Sequence, residues 1–197
     1  GWRETLLAAH QPREESDLSP LAPARQRLAF DELLANQLAL ALVRERMRRL
    51  PGRSIAGIGM LRDKVLNALP YKLTACQERS LAEIVADMES TSRMLRLLQG
   101  DVGSGKTVVA LLAMLAAIEA GGQAALMAPT EVLARQHEIT LSPLARAAGV
   151  ELVLLTGRDK GQARQDKLDA IASGKAAIVV GTHALFQDDV DFDNLAM

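Results

Sequence analysis

Gly100-Asp101-Val102-Gly103-Ser104-Gly105-Lys106-Thr107 is the stretch on which the reading of this sequence turns. It fits G-x-x-x-x-G-K-[ST], the spacing of a loop that wraps the phosphates of a nucleoside triphosphate. The spacing has a physical cause. Its glycines allow backbone conformations closed to other residues and turn amide N–H groups toward phosphate oxygens. The loop then feeds a helix N-terminus, whose free amides and dipole favour an anion. Lys106 is placed to reach the β- and γ-phosphates, and the Thr107 hydroxyl to ligate the Mg²⁺ that bridges them. Lys106 and Thr107 are therefore the catalytic candidates. Gly100, Asp101, Val102, Gly103, Ser104 and Gly105 complete the nucleotide site. The loop alone does not choose among kinases, GTPases and motors, which share it.

The context on both sides suits such a loop. Leu95–Gln99 reads as a short apolar strand leading in, and Lys106–Ala120 as an amphipathic helix leading out, closed by Gly121-Gly122. Downstream, Ala124–Ala128 reads as a strand. Helices follow through Ala148, restarted at Ser142-Pro143, where Ser is an N-cap and Pro a first helical residue. Glu151–Leu155 is a further strand, Gln162–Ser173 a helix and Ala177–Val180 a strand. This alternation predicts an α/β fold with a parallel sheet wrapped by helices. Upstream, Thr74-x-x-Gln77 is a capping box opening a helix with Leu81, Ile84, Val85 and Met88 facing inward. A short helix carrying Leu61, Val65, Leu66 and Leu69 precedes it, behind a loop with Gly57 and Gly59. From Ala24 to Leu50 the pattern is helical, with Phe30, Leu33, Leu34, Leu38, Ala41 and Leu42 on one stripe and Pro51-Gly52 as the stop. Residues 1–23, interrupted by Pro12, Pro20 and Pro23, read as an extended arm.

Composition narrows the function classes. The 197 residues are 49% hydrophobic and 24% charged, ordinary for a globular domain with a core. Net charge is −1, so nucleic-acid contact needs a local patch rather than a global basic field. A single cysteine, Cys76, excludes a disulfide within the chain and suits the reducing cytoplasm. No apolar run approaches the roughly 18 residues of a membrane helix, so no membrane partner is expected. His10, His137 and His183 are too scattered to suggest a metal site. No guanine-reading Asn-Lys-x-Asp motif is present, which counts against a GTPase.

The residues around the loop carry a resemblance. Leu98–Thr107 resembles helicase motif I, and Ala128-Pro129-Thr130-Glu131-Val132-Leu133-Ala134-Arg135-Gln136-His137 resembles motif Ia, both in the form found in RecG-type DNA helicases. Thr156-Gly157 is similar to the threonine-glycine motif after the next strand. Gly181–Gln187 is similar to the stretch just before the DExH box. Arg27–Leu34 resembles the helix that joins the wedge domain of that family to its motor. The resemblance implies a superfamily 2 motor with a RecA-like P-loop NTPase fold, using ATP and Mg²⁺ to remodel branched DNA such as stalled forks and Holliday junctions. It implies an extended arm at 1–23, a helical linker at 24–69 and the first part of RecA-like lobe 1 at 70–197, with the sheet incomplete at the C-terminus and stopping before the DExH box. Asp188, Asp189, Asp191 and Asp193 follow no apolar strand and are not accepted in its place. A chain cut there is expected to hydrolyse nothing alone and to self-associate through an unpaired strand edge. The motor of a transcription-repair coupling factor, which also has a GDVG loop, and a P-loop protein of another class stay open as alternatives.

The resemblance also assigns further residues. Gln77 matches a glutamine that reads adenine, while its own spacing makes it the partner of Thr74 in a capping box. Tyr71 is placed to stack on the base or to serve as an ordinary half-buried aromatic. Thr130, Thr156, Gly157 and Thr182 fall at the carboxyl ends of expected strands, where open parallel sheets bind ligands. They are candidate DNA-phosphate contacts, with helix capping as the alternative for Thr130 and Thr182. Arg44 and Arg48 belong to a basic cluster with Arg46, Arg49 and Arg53, which serves either DNA phosphates or the dipole of its own helix end. Met114, Met127 and Cys76 are expected in the core.

Overall fold

Three short strands rich in β-branched and aliphatic residues set the architecture. A computed structural model describes residues 1–49 and 51–197; the side chains of residues 47–50 are not among those described. The chain divides into two units, Gly1–Leu50 and Pro51–Met197. In the first unit α1 (Trp2–His10) packs against α2 (Pro23–Arg49), with a 3₁₀ turn at Glu15–Leu18 between them.

The second unit is built on a parallel sheet. Strands β1 (Ala124–Met127), β2 (Leu152–Leu155) and β3 (Ile178–Gly181) lie in the order β1-β3-β2. β3 is buried along its whole length. In register, Ala124 and Leu152 both face Ile178, and Met127 and Leu155 both face Gly181. The crossovers are helices α6 (Glu131–Ala148) and α7 (Gly161–Ala172). Burial on both faces is what an all-parallel sheet requires. Side chains alternate accordingly. Ile178 and Val180 join the larger apolar cluster, with α3 (Met60–Ala68), α4 (Ala75–Glu89), α5 (Lys106–Glu119) and α6. Val179 joins a smaller one with Leu155, Ile171, Ala176 and Leu185. The most buried helix is α5, which hides an unbroken run from Leu111 to Ala117.

Two side chains tie this unit together. Gln123, 3% exposed, donates from Nε2 to the carbonyls of Ile171 and Ala176 at 2.9 and 2.8 Å. Its Oε1 accepts from the Asn194 amide at 3.0 Å. Its backbone N–H donates to Asn194 O at 2.7 Å, so residues 194–197 run parallel to β1 along its outer edge. Glu119, the last residue of α5, accepts the amide of Gly59 at 2.7 Å and that of Leu61. A carboxylate at the start of α3 complements that helix's dipole.

Several sequence expectations are corrected. Residues 1–23 are not an extended arm: Arg3, Glu4, Leu6, Leu7, Ala8 and Ala9 are strong helix formers and α1 takes them, while Pro12 falls beyond its end and Pro23 opens α2. The stretch 24–69 expected as a linker falls in both units, since the second begins at Pro51 and contains α3, which buries Val65. Leu95–Gln99 is not a strand. It pairs with no strand among the described residues, and Leu95 and Leu97 are 74% and 84% exposed. α6 is not restarted at Ser142-Pro143; it runs unbroken, with Pro143 inside and Leu141, Ala145 and Ala148 buried on both sides of it. That burial offsets the hydrogen bond a proline removes. Cys76 and Met127 are exposed, whereas Met114 is core. The apolar stripe on α2 is exposed at Phe30, Leu33, Leu34, Leu38 and Leu42.

Gln123→Leu keeps the volume but leaves the Ala176 carbonyl without a donor and the Asn194 amide without an acceptor, while Ile171 O keeps the Gly174 amide. Each orphaned buried group costs about 1–3 kcal/mol. The variant is expected to unfold at clearly lower urea concentration than the wild type. An unchanged midpoint in equilibrium denaturation would show that water replaces the amide.

Candidate functional site

The Gly100–Thr107 loop is shaped by its glycines. Gly103 and Gly105 have φ of +82° and +80°, in the left-handed region that side chains disfavour. The Ser104 amide donates to Asp101 O at 3.2 Å, closing a turn. Beyond it, the amides of Gly103, Gly105, Lys106 and Thr107 find no protein acceptor among the described residues. Lys106 folds over the loop, its Nζ 2.7 Å from both Gly100 O and Asp101 O. These unpartnered donors, a half-buried cation and the Thr107 hydroxyl, all at the start of α5, fit a polyphosphate with its Mg²⁺.

Gln77 bears on this loop directly. Its Nε2 donates to Ser104 O at 2.9 Å, while its Oε1 accepts from the Thr74 amide at 2.8 Å. Thr74 Oγ1 in turn accepts from the Gln77 amide at 3.3 Å. The capping box and the contact with the phosphate loop are thus made by one side chain. A Cβ at Gly105 would lie 2.3 Å from Gln77 Nε2, so the glycine makes room for this contact. Tyr71 is not brought to the loop. It lines a groove of about 580 Å³ between α3 and α4, whose walls include none of residues 100–107.

The strand register places the other candidates together. β1, β2 and β3 end in line, so Thr130, Thr156, Gly157 and Thr182 follow the carboxyl ends of neighbouring strands. They are not alike. Thr130 is the exposed N-cap of α6, its Oγ1 accepting from the Leu133 amide at 3.3 Å. Thr182 is 6% exposed and makes no side-chain cap to the 3₁₀ turn it precedes. Thr156 is 1% exposed, and its hydroxyl donates to Asp159 Oδ2 at 3.2 Å and accepts from the Arg158 amide at 3.4 Å. A hydroxyl so engaged has nothing to offer a phosphate, which corrects its reading as a side-chain contact. Gly157 beside it is exposed and has no neighbour where a side chain would stand.

The basic cluster is divided between the two units. Arg44 and Arg46 are exposed on α2, Arg48's side chain lies outside the described residues, and Arg53 is in the second unit, bonded to Asn194. Among the described residues no group of three acidic, histidine or cysteine side chains is placed to hold a metal. Asp159 was not singled out by sequence reasoning. It accepts the Thr156 amide at 2.7 Å and Lys167 Nζ at 2.6 Å, and so shapes the Thr156-Gly157 loop. The only sequence signal was an acid three residues after a strand-ending threonine.

The model of the family described as DEAD/DEAH box helicase matches residues 74–197, which contain both the loop and the strand ends. The chain belongs to the DEAD/DEAH box helicase family. Within it, the chain is similar to the ATP-dependent DNA helicase RecG of Escherichia coli K12, 45% identical over 98% of this chain and 29% of that protein. To RecG of Bacillus subtilis 168 it is 43% identical, over 100% of this chain and 28% of the relative. It spans under a third of the length of these curated relatives. A solved structure of RecG bound to a three-way DNA junction superposes with a TM-score of 0.77 at 39% identity, covering 98% of this chain and 26% of that one. The DEAD/DEAH box helicase match and this superposition establish the RecA-like α/β fold.

In this helicase-family chain Asp159 gives a pH-dependent signature. Burial raises its pKa, but the hydrogen bonds from Lys167 and the Thr156 amide outweigh it and leave the carboxyl below its ordinary 3.8. A carboxylate with a depressed folded-state pKa stabilises the fold above its unfolded value and loses that contribution as pH falls through the folded value. Asp159→Asn is therefore expected to be less stable than wild type at neutral pH, with the gap closing in acid below the ordinary carboxylate range. Thermal melts of both proteins across pH check this; a gap that persists in acid would remove the ionised carboxylate as its source.

Proposed function

We propose that this chain is the ATP phosphate-binding part of an ATP-dependent DNA helicase or translocase that remodels branched DNA, including stalled forks and Holliday junctions. The observation that carries the reading is the loop at Gly100–Thr107, with its unpartnered amides, Lys106 and Thr107 at the head of a buried helix. The likeness to RecG proteins over nearly the whole chain supports DNA as the partner and ATP as the nucleotide.

The chemistry follows from these groups. The amides of Gly103, Gly105, Lys106 and Thr107 orient the phosphates, and Lys106 exchanges its two carbonyl partners for phosphate oxygens. Thr107 would hold Mg²⁺, which would supply charge neutralisation at the phosphates. Gln77 fixes Ser104 and so transmits the position of α4 to the loop. At the strand ends, Gly157 and the N-cap at Thr130 are the backbone contacts for DNA phosphates, which position a duplex without reading its sequence.

Lys106→Ala in the full-length protein is expected to abolish DNA-stimulated ATP hydrolysis while leaving the fold intact, because no neighbouring side chain replaces its charge at the phosphates. Steady-state turnover with forked DNA measures this, and near-wild-type turnover would remove Lys106 from the site.

The isolated chain is expected to bind ATP weakly, to turn over essentially none, and to self-associate. β2 pairs with β3 along one side only, and an unpaired parallel edge invites another strand. Light scattering across a dilution series, run beside an ATPase assay, tests both halves. A strict monomer would show that the edge is protected, and turnover at the full-length rate would show that this chain is sufficient.

A further inference from the structure

Every polar group of Asn194 is engaged, and its partners come from three separate places in the second unit. Its amide donates to Gln123 Oε1 at 3.0 Å, and its carbonyl accepts from the Gln123 amide at 2.7 Å. Its Nδ2 donates to Gly121 O, just past the end of α5, at 2.6 Å. Its Oδ1 accepts from Arg53 Nη1. A carbonyl on one side and a guanidinium on the other fix which way round the side-chain amide stands. Arg53 is held on both flanks in turn: the Gly52 amide donates to Thr91 O and the Ile55 amide to Met88 O, both at 2.8 Å.

Beyond Asn194 the chain runs parallel to β1, with Leu195 paired to Gln123. The Ala196 amide donates to Gln123 O at 2.9 Å and the Ala125 amide to Met197 O at 2.8 Å. Ala196 and Met197 pack on the larger apolar cluster, while Leu195 is half exposed. Ala196 lies against Gly122, where an added Cβ would stand 2.4 Å from its own. A slip of one residue would set the larger Leu195 or Met197 against that glycine. Backbone bonds repeat along a strand and do not choose among registers. The side chain of Asn194 is bonded to two points that do not repeat, and so it does choose. A segment parallel to β1 leaves the sheet at the carboxyl edge, where open parallel sheets bind ligands, and a change of register there moves whatever follows it.

We propose that Asn194 is a positioning residue for ATP turnover, which fixes the register of residues 194–197 on β1 through its bonds to Arg53 and Gly121. The inference rests on the ATP-hydrolysis reading above and adds to it two residues that lie far from the phosphate loop in sequence. The loop has its own ties, through Gln77 to Ser104 and through Lys106. Loss of the Asn194 tie therefore leaves the binding of ATP as it was and misplaces groups that act on the bound nucleotide. That pattern separates positioning from a general loss of stability, which lowers the folded fraction and leaves turnover per folded molecule unchanged.

The test uses the full-length protein and steady-state ATP hydrolysis with a three-way DNA junction. Asn194→Ala is expected to lower kcat by about ten- to a hundredfold, the scale of a small misplacement in a catalytic site, with KM for ATP unchanged. Arg53→Ala is expected to do the same in smaller measure, and Arg53→Lys, which keeps a donor to Oδ1, to recover most of the rate. The double variant Arg53→Ala/Asn194→Ala should be no slower than Asn194→Ala alone. Hydrogen exchange at the Ala196 amide should quicken in Asn194→Ala while the β3 amides stay slow. Should Asn194→Ala fail to fold, the two Arg53 variants carry the test, since that side chain is exposed. A wild-type kcat in Asn194→Ala, a KM for ATP that rises in step with the loss, or losses that multiply in the double variant would each overturn the proposal. So would a raised half-saturating DNA concentration in Arg53→Ala, which would make Arg53 a DNA contact instead. If the wild-type protein hydrolyses no ATP, the reading beneath falls as well; if it does and every variant matches it, only this inference falls.

Discussion

Strand β3 is hydrogen-bonded on both edges and buried along its length, and the placement of every candidate residue at the sheet follows from that. Because β1 and β2 both run parallel to it with matching ends, the chain must leave all three strands on one side of the sheet. Thr130, Thr156, Gly157 and Thr182 are distant in sequence but are brought to one edge by this pairing, before any side chain makes a specific contact. A slip of one residue would turn Val179 into the cluster of Ile178 and Val180 and move each loop with it. Register is therefore held by core packing, and the edge inherits its precision from the core.

Side-chain carboxylates and amides do the rest of the positioning, each serving backbone groups of another element. Gln123 supplies donors to the end of α7 and an acceptor to Asn194. Glu119 reaches from the end of α5 to the start of α3. Gln77 reaches from α4 to the phosphate loop. α5 is common to the last two of these. It begins at the loop, is buried through its middle, and ends at the carboxylate that caps α3, so a shift of the loop's helix would be felt at each of these ties. Such long-range ties make the loop a rigid part of the unit.

What could be read in the sequence was what local chemistry dictates. The Thr74–Gln77 box, the glycines of residues 100–105, the Gly121-Gly122 stop and the alternation after Ala124 each depend on residues within a few positions of one another, and each forms as expected. The misreadings have a common origin. Leu95–Gln99 has the composition of a strand, but a strand exists only with a partner, and no local pattern reveals one. The prolines of residues 1–23 were weighed as breakers of the whole segment, though they only punctuate it around α1. Thr156 was read by its place at a strand end, and its hydroxyl was already committed to Asp159. Gln77 is the instructive case: its capping role was legible at a spacing of three, while its bond to Ser104 spans 27 residues and was not.

The loop after β2 shows how these ties bear on function. It is fastened at two adjacent residues by ion pairs to different helices, through Arg158 to Glu131 on α6 and through Asp159 to Lys167 on α7. Exposed ion pairs are worth little singly, about 0–1 kcal/mol. These are of another kind, because the Glu131 and Asp159 side chains are 22% and 17% exposed and each carboxylate takes further donors. Gly157 directly precedes the two fastenings, with open space where a side chain would stand. A loop fixed this way loses little conformational freedom when an extended anionic partner lies across it, and the entropy penalty of ordering it has already been met in folding. The same fixing makes the loop depend on both carboxylates, Glu131 and Asp159. The loop at the carboxyl edge is thus held in place by the Glu131 and Asp159 carboxylates.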